Sequence, residues 1–505
     1  MGAISTWMAS IAAALVLASP VSIADPAASA NPASSPPVSL RTALQAFDRG
    51  DMAAAETAVL AALNDPSFAA LDETSRHLAL ALATQVMLQT KNPVKAQQYA
   101  IQATRMPQQT VDDWRNRLRA AFGLQDLRDE AQCVTAIFQR WGADTSVLPA
   151  ETIYSVANNT DLPELSDVRL EMLETLYQRR WHPADGGTAS GLWRELSRML
   201  LEAKEPDRAA RVAVLIDDPD DIIAMRADAR FQPVLKLQYV QSNAQRAAQG
   251  RIKTLQEEVR QHPQSLRAVE QLMIAMAKFR MDAELLALAA DVERRIQENG
   301  TGSAAYEDFA RSYRWILDAR ARALSHLGRY DEAVAALRQA TQLPDQTSTV
   351  DQSINLADLL CELDRPEEAL AALPPAAKVS AYGRMQVESV RLSAAVERGN
   401  TEDEAQALTY LREHRADSPR TLQRALLRAG ALDEAEQWLL QRLNDPTHRI
   451  TALLEMQRYF EPPRPPRAAQ WHGLSAALRE RATIRAAVAK VGRIDGYPWR
   501  YDTYD

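Results

Sequence analysis

The side chains best equipped for chemistry in this 505-residue chain are dispersed. Seven histidines, His77, His182, His262, His326, His414, His448 and His472, lie far apart, and no two have the i, i+4 spacing that presents two imidazoles to zinc from one helix face. His182 and Asp185 share a glycine-containing loop and are the nearest approach to a metal pair, with no third ligand beside them. The run Asp217-Asp218-Pro219-Asp220-Asp221 gathers carboxylate oxygens of the kind calcium takes, yet lacks the spaced D-x-D-x-D-G loop. Asp followed by Pro is also how helices begin, so this run reads as a cap. In Gly187-Thr188-Ala189-Ser190-Gly191 the serine is one place away from the centre of G-x-S-x-G, and no strand precedes it. Phosphate loops of the GxxxxGK[ST] and GxGxxG types are absent. The expectation is a chain with no catalytic residues, no metal and no cofactor; an enzyme reading would need a site within Trp141 to Leu237.

The elements that position these residues are helical. Only 17 glycines among 505 residues, with 46% hydrophobic and 25% charged residues, suit helices rather than a turn-rich β fold. The length allows roughly two to four ordinary domains or one long array of stacked units. With 66 acidic against 58 basic residues, a net charge of -8 and no basic stripe, nucleic acid is excluded as a partner. At the N-terminus an apolar run, Ile11 to Ala18, precedes Ser22-Ile23-Ala24. This predicts a signal peptide over 1–24 and a periplasmic protein, since the run is far shorter than the ~20 residues of a membrane span. Residues 25–39, rich in Pro, Ala and Ser, predict a flexible linker.

The clearest periodicity lies in Arg314 to Pro344. Leu317, Ala321, Leu324 and Leu327 make one apolar stripe at i, i+3, i+4 spacing, Ala333, Leu337 and Ala340 make a second, and Gly328 separates them. With Tyr330 at the turn, small Ala333 at the crossing and Pro344 at the end, the stretch resembles the tetratricopeptide repeat. Counting by the small residue gives Ala333, Ala369, Ala405 and Ala435, close to that repeat's ~34-residue period. Weaker relatives stand at Leu40 to Pro66, at the stretch ending Ala96, Ala100 and Ala103, around Asp129-Glu130-Ala131, and at Ser197 and Ala209. The resemblance, to exported bacterial members of this family, implies an all-α, right-handed superhelical solenoid of helix-turn-helix repeats.

On this reading residues 40–240 are an N-terminal array with an irregular middle, 241–305 a helical connector, 306–446 the C-terminal array, and 447–505 a helical cap with an aromatic tail. Arg226 to Phe231 would make a turn closing the first array. Glu461-Pro-Pro-Arg-Pro-Pro-Arg467 cannot be helical, Trp471 to Val491 is a final helix, and the tail carrying Tyr497, Trp499, Tyr501 and Tyr504 either folds back on that cap or docks a partner. Because each repeat touches mainly its neighbours, Cys133 and Cys361 are expected as separate buried thiols.

The resemblance also implies where ligand binds. First helices of successive repeats line the concave face, and their outward positions would be Arg194, Arg198, Trp315, Asp318, Arg322, Asp358, Arg420 and Arg424. A planar guanidinium grips a carboxylate through two parallel hydrogen bonds. The expected function is a periplasmic scaffold holding a protein or peptide partner in the groove, in assembly of an envelope complex. The alternative is an accessory protein of polysaccharide synthesis or export that binds an acidic polymer.

Overall fold

A computed structural model of the chain describes residues 38–183, 187–236, 243–343, 349–375 and 379–501. Residues 1–24, expected as a signal peptide, most of the expected linker, Pro344, Asp185 and Tyr504 lie outside these. The described residues are all-α, a solenoid of helix-turn-helix pairs, and fall into two compact units that divide between Leu192 and Trp193. No described helix is long and apolar enough to cross a membrane.

The N-terminal unit contains α1 Val38–Asp48, α2 Met52–Asn64, α3 Glu73–Gln89, α4 Pro93–Ala103, α5 Val111–Leu124, α6 Leu127–Trp141, α7 Ala150–Asn159 and α8 Ser166–Gln178. Partners α1 and α2, α3 and α4, and α5 and α6 pack as hairpins, and each hairpin packs on the next. Side-chain caps start the second helices: Asp51, Asn92 and Asp126 each accept a backbone N–H of the first turn. Fully buried Ala55 and Ala96, the fourth residues of α2 and α4, let the helices approach. The irregular middle contains α7, a helix that the sequence pattern did not show.

In α6 the same fourth position holds Glu130, 1% exposed. Burial pushes its carboxyl up to about 7, against a single bond from Asn159 Nδ2 at 3.5 Å. A carboxyl raised in the folded state binds its proton more tightly there, so stability is greatest below its ordinary range and is lost as pH rises towards 7. Glu130→Gln is therefore expected to be more stable than the parent at pH 8 by ~1–2 kcal/mol, and equal to it at pH 4.5. Urea unfolding at the two pH values measures this; equal differences at both would mean that Glu130 is not the group.

The C-terminal unit begins within α9 Ser190–Glu202 and continues through α10 Pro206–Ala213 and α11 Pro219–Ala227. Ser197 Oγ donates to Ala209 O at 3.1 Å, both residues fully buried at the crossing of α9 and α10. Asp218 caps α11 by accepting from Asp220 and Asp221 N–H, the capping role expected of the acidic run. There follow α12 Ala244–Gln261, α13 Leu266–Lys278, α14 Asp282–Glu298, α15 Phe309–His326, α16 Tyr330–Thr341, α17 Val350–Glu362, α18 Pro366–Ala372, α19 Ala381–Arg398, α20 Thr401–Glu413, α21 Pro419–Arg428, α22 Leu432–Asn444, α23 Arg449–Met456, α24 Pro466–Glu480 and α25 Ala482–Val491. Hairpins α15–α16, α17–α18, α19–α20 and α21–α22 form the regular run, in which α17, α19 and α21 pack in succession.

Ala321, Ala333, Ala369 and Ala435 are buried at the helix crossings. Gly328 ends α15 with φ 74°, the left-handed turn that glycine takes without strain. Two sequence assignments move. Leu327, placed in the apolar stripe, is 48% exposed because α15 ends at His326 and the stripe with it. Ala405 is exposed: Asn400 caps the backbone of Glu402 and Asp403, so α20 starts at Thr401 and its fourth position is half-buried Glu404.

The division at Leu192/Trp193 differs from the expected boundary at 240/241 because α11 packs on α12 and on α23, which ties 219–227 to the C-terminal unit. The turn after α11 belongs there too. Buried Asp228 holds the Arg230 guanidinium bidentately, and Asp228 pairs with Gly492 in an antiparallel bridge. The expected final helix is two, α24 and α25, broken at extended Arg481. α25 stacks on the end of the array against α22; α24 touches α22 as well and runs back to α17 and α21. Its first turn takes in Pro466 and Arg467, which the proline count had assigned to non-helical chain; proline at a helix start loses no hydrogen bond. Both cysteines are free and buried.

Candidate functional site

The first helices α15, α17 and α21 carry their polar residues to one cavity of about 350 Å³. Its wall includes Asp318 and Arg322 of α15, Asp358 of α17, and Arg420 and Arg424 of α21, five of the eight residues nominated from sequence. Spacing places them: Asp318 and Arg322 are one turn apart, as are Arg420 and Arg424.

Asp318 is almost fully buried and takes Arg322 Nε at 2.8 Å and Asn355 Nδ2 of α17 at 2.7 Å, so it joins two successive first helices. Asp358 faces α21, with Arg428 Nη2 at 2.7 Å and Arg424 Nη2 at 3.5 Å. Burial raises the Asp358 pKa, but the two guanidiniums outweigh it and hold the carboxyl below its usual range. Arg420 lies 3.8 Å from Glu455 and 4.7 Å over the ring of Tyr501. Glu455 in turn accepts both Nη groups of Arg442, which is 1% exposed.

The other three nominated residues are elsewhere. Arg194 and Arg198 on α9 are engaged by acids of their own neighbourhood: Arg194 by Asp221 and Glu195, Arg198 by Glu195 at 2.9 Å and Glu202 at 2.8 Å. Trp315 is half-buried on α15 with Arg314 5.8 Å from its ring, outside the cavity wall.

The cavity also has a wall that repeat positions do not foretell. From Gln457 the chain runs extended through Tyr459, Phe460, Glu461 and Pro462 to Pro465, and lines the groove as a strap. The tail pairs with it: Arg458 N donates to Asp495 O at 2.9 Å, Tyr497 N to Arg458 O at 2.7 Å, and Phe460 N to Trp499 O at 2.9 Å. Tyr459 stacks on Tyr497 and Tyr501, at 5.7 and 4.9 Å. Neither expectation for the tail describes this arrangement. The tail leaves the cap and crosses to the start of the unit, where Arg493 N meets Ala227 O at 2.9 Å and Arg500 N meets Lys278 O at 3.0 Å. Gly492 is required at the crossing, since a Cβ there would stand 2.0 Å from Ala227 O. Arg500 then locks the end through Asp282, with Nη2 to Oδ2 at 2.7 Å and Nη1 to Oδ1 at 3.0 Å, and through Ala277 O at 2.6 Å.

Sequence reasoning missed Arg428, which continues Arg420 and Arg424 by one more turn on the same face; that spacing was a usable signal. Arg428 donates to Ser389 and Ser393 of α19 and lies 4.3 Å over the ring of Trp471, besides binding Asp358. The strap and tail residues had no such signal, because extended chain has no helical period.

No family model matches the chain, and no curated protein sequence does. Among solved structures it is similar to a chain of the APC/C hetero-tetramer Cut9–Hcn1, at 12% identity over 90% of this chain and 89% of that one, with a TM-score of 0.26. It is also similar to a chain of Naa15/Naa10 bound to HypK-THB, at 12% identity over 90% of this chain and 74% of that one, with a TM-score of 0.25. The solenoid assignment rests on the helix pairs themselves.

Proposed function

We propose that the chain is an exported scaffold whose C-terminal unit takes an acidic segment of a partner protein into the groove of α15, α17 and α21, in assembly of an envelope complex. The observation that carries this reading is the convergence of Asp318, Arg322, Asp358, Arg420 and Arg424 on one cavity. Its lining has eight Lys and Arg side chains against five Asp and Glu, in a chain that is acidic overall. Preformed helices present these groups at little ordering cost. Export rests on the apolar run and small residues of 1–24.

The same cationic excess supports an acidic polysaccharide as the second reading. Salt separates the two: polymer held by many charges releases steeply between ~50 and ~500 mM salt, whereas a peptide that also buries apolar contacts does not. Arg420→Ala/Arg424→Ala is expected to lower capture of the partner at least ~10-fold in affinity purification of the exported protein. Undiminished capture would place the partner elsewhere on the molecule, and retention of uronic-acid oligomers on a glycan array, abolished at high salt, would favour the polymer.

A further inference from the structure

Two cations of the cavity wall are left unmatched by the protein. Arg464 stands in the strap and Arg479 in the last turn of α24; both are partly buried, with Nε shut off from solvent and no hydrogen-bond partner. Neither makes an ion pair with any described residue. The other arginines of this wall are met: Arg322 by Asp318, Arg424 and Arg428 by Asp358, Arg420 by Glu455, Arg500 by Asp282.

A guanidinium does not shed its proton at accessible pH, so partial burial without a counter-charge is a standing cost. The nearby acids offset it incompletely. Glu461 acts on both arginines without touching either, and Glu362 is itself pushed up by burial and by Asp358, which weakens it as a counter-charge. The end of α24 adds only the partial negative charge of its last carbonyls at Arg479. His472 lies in the same wall. Burial, then Arg464, Arg424 and Arg428, press its pKa down to about 3, so it stands neutral among cations.

We propose that the space between the strap and the first helices is a binding site for a small polyvalent oxyanion, bearing carboxylate or phosphate groups, gripped by Arg464 and Arg479. At about 350 Å³ it has the size of a small-ligand pocket, too small for a folded partner. The site goes beyond the partner reading, since its two gripping residues belong to the strap and α24 and not to repeat helices. An anion bound there joins the strap to the end of α24.

The test is thermal unfolding of the full chain at low salt with pyrophosphate, citrate and a galacturonate trimer as probes, each near ~5 mM. At least one is expected to raise the Tm by about 3–6 °C. The three arms separate phosphate, free carboxylate and sugar-acid sources. Arg464→Gln/Arg479→Gln is expected to weaken that probe at least ~10-fold while its ligand-free Tm equals or exceeds the parent's, because it removes unmatched charge. The proposal is overturned if no probe shifts the parent, if the double variant keeps the full shift, or if its ligand-free Tm falls, which would make the two arginines structural. Partner capture is read on the same variant and on Arg420→Ala/Arg424→Ala, so failure of either reading leaves the other to be judged alone.

Discussion

Arg500→Ala is expected to cost the C-terminal unit ~3–5 kcal/mol, the loss that follows when one partner of a buried ion pair is removed and the other charge stays. Arg500 and Asp282 are both nearly inaccessible and meet through two hydrogen bonds, with Ala277 O taking a third. The alanine variant leaves the Asp282 carboxylate with His326 Nδ1 at 3.0 Å as its remaining close side-chain partner. Two further readouts follow. Burial tends to raise the Asp282 pKa, but His326 and Arg500 outweigh it and hold it below the usual range. The stability this confers is present above the ordinary carboxylate range and is lost as pH falls, so the parent's acid limb should flatten in the variant. His326 is held low first by burial, with Arg500 adding to that and Asp282 opposing it, so removing Arg500 should move its titration upward by NMR. Arg500→Met/Asp282→Asn should recover more than half of the loss, since no charge is then stranded. A single-variant loss below ~1 kcal/mol in urea unfolding would mean that the tail does not fasten the unit.

The second large effect is expected at Arg428. It is 6% exposed and joins α17, α19, α21 and α24, through Asp358, through Ser389 and Ser393, and through the face of Trp471. Arg428→Ala should cost ~3–5 kcal/mol, since Asp358 keeps only Arg424, at the longer distance of 3.5 Å. Lysine should not rescue it. An ammonium cannot span the serine hydroxyls and the carboxylate with one planar fork, nor stack on the indole as a guanidinium does. Amide hydrogen exchange in 466–480 should rise before exchange in α16, because α24 is the element that Arg428 holds in place. Simultaneous loosening of both would assign Arg428 to general packing instead.

These two arginines mark where sequence legibility ended. Ala333, Ala369 and Ala435 were readable because a helix crossing admits only small side chains, and the same constraint recurs wherever two helices meet. Ala405 deceived because the count followed residue type, whereas the position of α20 follows its cap at Asn400. Glu130 escaped for the converse reason: a carboxyl occupies a crossing where alanine is expected, at the cost of its raised pKa. Five of the nominated residues share one cavity because facing one side of successive first helices is a matter of register. Arg194, Arg198 and Trp315 obey the same register, but Arg194 and Arg198 are held by Asp221, Glu195 and Glu202, and Trp315 packs beside Arg314. The strap's place could not be read, for prolines declare that a stretch is extended without declaring what it lies against.

The pairing of Gly492 with Asp228 and of Arg500 with Asp282 changes how the C-terminal unit comes apart. An open repeat array can fray from its ends, each hairpin leaving at the modest expense of one interface. Here the tail is fastened at Ala227, Asp228, Lys278 and Asp282, so neither it nor the helices α11 and α13 can peel away without breaking the seam. Opening the seam also releases contacts that span more than two hundred residues of chain, whose closure must be repaid on refolding. The stretch between Asp228 and Gly492 is accordingly expected to melt as one cooperative block rather than hairpin by hairpin.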